Sequence, residues 1–184
     1  MSRAIARTWK PGDEIVVTTL DHDANVAPWL MAAEDRGVMV KKLRFTESDC
    51  VVSVEALRSL LSPRTRLVAL GWASNAVGTI VDLAPLLAIA RGVGALTYVD
   101  AVHYAPHGVI DVRALDCDFL ACSAYKFCGP HLGIMYGQKR HLERLDAYKV
   151  RPSSSVPPGK WETGTQNFEA VAGLRACLAY LCSI

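Results

Sequence analysis

Lys126 is the residue in this chain best placed for covalent chemistry. It stands in the run Ser123-Ala124-Tyr125-Lys126-Phe127-Cys128-Gly129-Pro130, among apolar and aromatic neighbours. Desolvation in such a setting favours the neutral amine, the form that attacks a carbonyl carbon. Three other clusters each close an apolar run: Leu20-Asp21-His22-Asp23-Ala24-Asn25, Ser74-Asn75-Ala76-Val77-Gly78-Thr79 and Asp100-Ala101-Val102-His103-Tyr104. Together they supply an imidazole, an amide and a carboxylate. Taken singly, each has an ordinary structural explanation. His22 reads as a loop residue, Asn75 as turn chemistry ahead of Gly78, and Asp100 as a helix cap. A lysine at a strand end is usually a solvated charge. Four such sites at successive strand ends weigh against the ordinary explanation for all of them.

Pyridoxal 5'-phosphate (PLP) chemistry needs this set of side chains. A lysine amine forms a Schiff base with the cofactor aldehyde. A carboxylate beside the pyridine nitrogen keeps it protonated, so that the ring can accept electrons. An amide or imidazole donor tunes the phenolic oxygen, a flat side chain covers the ring face, and hydroxyls with backbone N–H groups hold the phosphate.

Strands and helices must alternate to bring these clusters together, and the patterning predicts that they do. Residues 14–19 (EIVVTT) are β-branched and read as a strand. A helix follows over 25–36, with Asn25 as its N-cap and Gly37 at its end. Strands are expected over 38–45, 65–72, 95–99, 119–122 and 133–136. Ser53 caps a helix over 54–61, with Glu55 in its first turn, where a carboxylate favours the helix dipole. A helix over 83–91 has Pro85 in its first turn and Gly92 just past its end. Residues 139–145 and 169–181 read as helices, and 152–159 as a Pro- and Ser-rich loop. This alternation predicts an α/β fold with a largely parallel sheet. In such folds the ligand crevice lies beyond the carboxyl ends of the strands.

Composition agrees. The chain has 184 residues, 51% of them hydrophobic and 21% charged, with a net charge of +2. One compact domain with a sizeable core is expected, not a disordered or fibrous chain. The basic residues are scattered, so no nucleic-acid or membrane patch is expected. No apolar run reaches the ~18 residues of a membrane span, and the basic first residues lack the apolar core of a secretory signal. Six cysteines (Cys50, Cys117, Cys122, Cys128, Cys177, Cys182) show no metal-ligand spacing. Most lie in apolar runs and are expected to pack as small buried hydrophobes, Cys128 included. A reduced, cytoplasmic protein is the natural reading.

The ordered series D-H-D-A-N-V-A-P-W, S-N-A-V-G-T, V-D-A-V-H, S-A-Y-K-F-C-G-P and W-E-T-G-T-Q-N resembles the class V aminotransferases of PLP fold type I, the group that holds the cysteine desulfurases. The resemblance runs from about Trp9 to the end. It implies the three-layer, mostly parallel large domain of that fold over residues 1–184, incomplete. The family's phosphate-cradling Gly/Thr turn and its small C-terminal domain are not among these residues. It implies that Lys126 is the Schiff-base lysine and that His22 stacks on the pyridine face. Asp100 would pair with the ring nitrogen, with Asn75 and His103 near the phenolic oxygen. Ser123 would be a phosphate ligand, and Tyr125 stands where desulfurases carry a phosphate-binding histidine. Thr165 would reach the phosphate of a neighbouring subunit, so a homodimer acting on an amino-acid substrate is implied. His103 and Tyr125 depart from the desulfurase pattern toward the desulfurase-like branch near isopenicillin N epimerases.

The resemblance leaves open whether the chemistry is desulfuration, transamination or epimerisation, since all begin with Lys126 and the substrate α-carbon. A truncated, non-catalytic PLP-fold fragment or scaffold subunit is the alternative. A nucleotide-binding domain is disfavoured, because neither G-x-G-x-x-G nor G-x-x-x-x-G-K-[ST] occurs in the required place.

Overall fold

A computed structural model describes all 184 residues, Met1–Ile184. Six strands form one sheet: β1 (Glu14–Thr18), β2 (Met39–Leu43), β3 (Thr65–Gly71), β4 (Leu96–Asp100), β5 (Phe119–Ser123) and β6 (Gly133–Gly137). Their spatial order is β2-β1-β3-β4-β5-β6. The first five run parallel, and β6 returns antiparallel to β5. The segment joining β5 to β6 is too short for the dozen or so residues that a parallel crossover needs, so that edge must reverse.

Seven helices complete the chain: α1 (Ser2–Ala6), α2 (Ala27–Glu34), α3 (Val54–Leu60), α4 (Leu83–Gly92), α5 (Val112–Leu115), α6 (Lys139–Arg144) and α7 (Phe168–Leu181). The sheet is buried on both faces, which is why its strands read as near-continuous apolar runs. Successive residues of one strand go to opposite cores. Val16 packs with Leu57, Leu86 and Leu87 of α3 and α4. Ile15 and Val17 pack with Ile5, Trp29 and Ala33 of α1 and α2. The result is the expected three-layer α/β architecture.

Most element boundaries agree with the patterning to within a residue or two. Ser53 caps α3 as expected, its Oγ accepting the Ala56 N–H at 3.0 Å. Gly37 takes a left-handed φ of 63° at the end of the α2 segment. Four details differ. The helices α1 and α5 are only 5 and 4 residues long, too short to show a period. Helix α4 runs through Gly92, and it is Gly94, at φ 79°, that makes the left-handed turn. Asn25 does not cap α2. A 3-10 turn over Asp23–Asn25 precedes the helix, whose N-cap position is Val26. The Asn25 side chain is instead buried, accepting the Trp29 indole N–H at 3.1 Å and donating to Asp21 at 2.8 Å. Tertiary bonds to a core tryptophan and a carboxylate have displaced the local capping role.

Candidate functional site

The strand order turns around between β1 and β3: the chain leaves β1 toward β2 on one side and later places β3 on the other. Such a reversal opens a crevice at the carboxyl ends of the two strands. A cavity of about 250 Å³ lies there. Seven of the eight residues singled out in the sequence line it: His22, Asn75, Asp100, His103, Ser123, Tyr125 and Lys126. Thr165 does not. It lies on an exposed loop outside the crevice, next to Gly164 at φ 76°.

Each side chain arrives from a different strand end. His22 follows β1, and its Nδ1 accepts the Ala24 N–H at 3.0 Å, which fixes the ring relative to its own turn. Asn75 follows β3 in a turn built by Ser74, whose Oγ accepts the N–H groups of Ala76 and Val77. That turn leaves Asn75 exposed to the crevice. Asp100 ends β4, paired in register with Gly71 of β3. Its Oδ1 accepts the Val102 N–H at 2.9 Å. Burial pushes its carboxyl above the ordinary carboxylate range, while the Val102 N–H and the nearby His22 ring pull it back.

Ser123 ends β5 and starts a 3-10 turn over Ala124–Phe127 that carries Lys126. The Ser123 hydroxyl does not cap that turn, so it is available to a ligand. Lys126 belongs to none of the chain's ion pairs. The turn closes through Cys128 at φ 68°, whose N–H bonds Ala124 O. The Gly129 N–H bonds the same carbonyl at 2.8 Å. A Cβ on Gly129 would come within 2.8 Å of the Ala124 Cβ, so the tight return requires glycine there. From behind, α7 locks the turn: the buried Cys177 thiol donates to the Phe127 carbonyl at 3.1 Å.

Two expectations need correction. Lys126 is exposed at the crevice mouth, not sunk among apolar side chains. The 3-10 turn directs Tyr125 and Lys126 outward and spends Ala124 on the core. Tyr125 itself stacks against His131, ring centroids 5.0 Å apart. Cys128 is exposed as well, as is Cys182, and only Cys117 and Cys177 of the six cysteines are buried.

Sequence reasoning missed Asp21. Its carboxyl lines the crevice, accepts the Gly71 N–H at 2.6 Å and is pushed up to about 6, first by burial and in part by the charge of Asp100. Its structural counterpart is the glycine that ends β3: a Cβ on Gly71 would meet Asp21 Oδ1 at 2.5 Å.

The donor set fits the cofactor that the sequence resemblance implies. Asp100 is a recessed carboxyl with one oxygen held by backbone and no lysine or arginine paired with it, suited to a ring N–H. An unpaired amine, a free hydroxyl, an imidazole and an amide face the same space. Among the described residues there is no group of three or more His, Cys, Asp or Glu side chains suited to a metal.

Comparison with known proteins shows the family and the fold. The family model for aminotransferase class-V matches residues 1–184. The chain is 34% identical to a cysteine desulfurase of Dickeya dadantii, over 96% of this chain and 46% of that protein. It is 37% identical to the aminotransferase-like protein FGM3 of Gibberella zeae, over 96% of this chain and 45% of that one. The crystal structure of the cysteine desulfurase CsdA (S-sulfonic acid) from Escherichia coli superposes with a TM-score of 0.91 at 34% identity, covering all of this chain and 51% of that one. The chain thus spans about half the length of the curated relatives it matches.

Proposed function

The chain belongs to the class-V aminotransferase family, and on that footing we propose that it is the large, cofactor-binding domain of a PLP-dependent enzyme acting on an amino acid. The observation that carries this reading is the meeting of Lys126, Asp100 and His22 in one crevice at the point where the strand order reverses. Bound PLP supplies an aldehyde for the lysine and a ring that withdraws electrons from the substrate.

The residues divide the work. Lys126 would hold the cofactor covalently, and its amine is the group placed to move a proton at the substrate α-carbon. Asp100 would accept the ring N–H, which would relieve the charge that burial penalises. His22 would cover the ring face. Asn75 and His103 would donate toward the phenolic oxygen. Ser123 and Tyr125 would bind the phosphate. Thr165 is exposed and away from its own crevice, which suits a residue that completes the site of a second copy in a homodimer. Six free cysteines suit a reducing, cytoplasmic setting. No helix is long and apolar enough to cross a membrane.

The test is reconstitution. The chain mixed with PLP is expected to show a visible absorbance band distinct from that of the free cofactor, and Lys126→Ala is expected to lose it. Absence of the band in the intact chain would sink this reading and favour the non-catalytic scaffold.

A further inference from the structure

The His22 ring has only a local bond of its own, from the Ala24 N–H. The residue before it ties its turn to the rest of the protein, beside a longer 3.5 Å bond from the Ser74 hydroxyl to the Leu20 carbonyl. Asp21 Oδ1 accepts the Gly71 N–H at 2.6 Å, across 50 residues of sequence. Asp21 Oδ2 accepts Asn25 Nδ2 at 2.8 Å, and Asn25 Oδ1 accepts Trp29 Nε1 at 3.1 Å. Trp29 is 2% exposed and packs edge-on against Tyr98 at 5.1 Å. An unbroken line of bonds therefore runs from a core tryptophan, through Asn25 and Asp21, to the end of β3. Gly71, where it ends, is the register partner of Asp100.

We propose that Asp21 is a positioning residue: it fixes the His22 ring over the cofactor by clamping the turn after β1 to the end of β3 beside Asp100. This rests on the PLP reading given above. Both Asp21 oxygens are engaged by protein donors, whereas Asp100 keeps one toward the crevice. The two neighbouring carboxyls thus have different tasks, Asp21 to hold the turn and Asp100 to meet the ligand. The clamp is retained although burial and Asp100 both disfavour the Asp21 charge. Gly71 is part of the device, since any side chain there would collide with the carboxyl.

The test is a double-mutant cycle read by PLP affinity and by the visible circular dichroism of bound PLP, neither of which needs turnover. Asp21→Ala is expected to raise the Kd for PLP roughly tenfold, the size of one or two lost charge-assisted hydrogen bonds. It should also reduce the dichroism per bound cofactor. In a His22→Ala background the same change should have less than about a twofold effect, because the ring it positions is gone. Asp21→Asn, which keeps an acceptor for the Gly71 N–H, should recover most of the affinity. If Asp21→Ala does not fold, Gly71→Ala displaces the carboxyl without removing it and is read in the same cycle. Unchanged affinity and dichroism in Asp21→Ala, or an undiminished effect in the His22→Ala background, overturns the proposal while the PLP reading stands. A wild-type chain with no PLP band overturns both.

Discussion

Glu14 and Asp21 lie at opposite ends of the same strand, and their carboxyls are treated in opposite ways. Glu14 is 1% exposed and is met by Lys41 at 2.7 Å, Arg64 at 2.8 Å and the Ser62 hydroxyl at 2.6 Å. These donors, Lys41 first, hold it down at about 2. Asp21 has only neutral donors, the Thr18 hydroxyl, the Gly71 N–H and the Asn25 amide, and no cation, and it stands at about 6. The contrast recurs across the sheet. Asp118, just before β5, accepts from the Thr97 N–H and hydroxyl and meets His141 at 2.6 Å. Asp100, at the end of β4, has the Val102 N–H alone. The amino-terminal edge of the sheet cancels its buried charges internally. At the carboxyl-terminal edge no lysine or arginine pairs with either carboxyl: Asp21 is held by neutral donors, and Asp100 keeps one oxygen open to a ligand. Unbalanced burial therefore marks the functional end more sharply than burial itself.

The comparison can be broken most directly at Glu14. Glu14→Gln leaves Lys41 and Arg64 beside a neutral side chain and is expected to cost roughly 3 kcal/mol of stability, as breaking a buried pair does. Denaturant midpoints measure this. The affinity of the surviving fold for PLP should be unchanged, and a comparable loss of affinity would mean that the two edges are not independent.

Acidity separates the two carboxyls next. Glu14 is held below its ordinary 4.5, so its contribution is whole above that value and is lost as pH falls toward 2. Asp21 is held above its ordinary 3.8, so the sign reverses. Its burial costs nothing below 3.8 and costs progressively more as pH rises through about 6. The stability of Asp21→Asn relative to wild type should therefore move in favour of the variant across that window, by on the order of 2 kcal/mol. Urea titrations at pH 4 and pH 7, values on either side of most of that window, give the difference. A shift toward wild type as pH rises would refute the assignment of an uncompensated charge.

The smallest effect is expected behind the lysine turn. Cys177→Ala removes the thiol bond to the Phe127 carbonyl and should cost about 1 kcal/mol or less, with Cys177→Ser restoring most of it. An equal loss in both variants would assign the contribution to packing of the sulfur alone.

The layers and most strands were legible because a sheet buried on both faces writes uninterrupted apolar runs into the sequence. The crevice was legible because chemistry-bearing residues stood directly after those runs. What stayed hidden depends on contacts between distant segments. Asn25 has the composition of a cap, and only Trp29 and Asp21 in space show it to be a strut. Asp21 was visible as a residue but not as a partner of Gly71, because nothing local announces a bond across 50 residues. Lys126 and Cys128 sit among apolar letters yet face outward, since the 3-10 turn places Ala124, and not its neighbours, against the core. The reversal of β6 was set by the length of its connection, not by its own composition.

The bond from Cys177 to Phe127 also has a meaning in time. A chain made from its amino end presents all six strands and the lysine turn before α7 exists. The crevice can therefore assemble while the backbone behind its amine is still unbraced. The thiol that meets the Phe127 carbonyl arrives only with α7, after the residues that line the crevice.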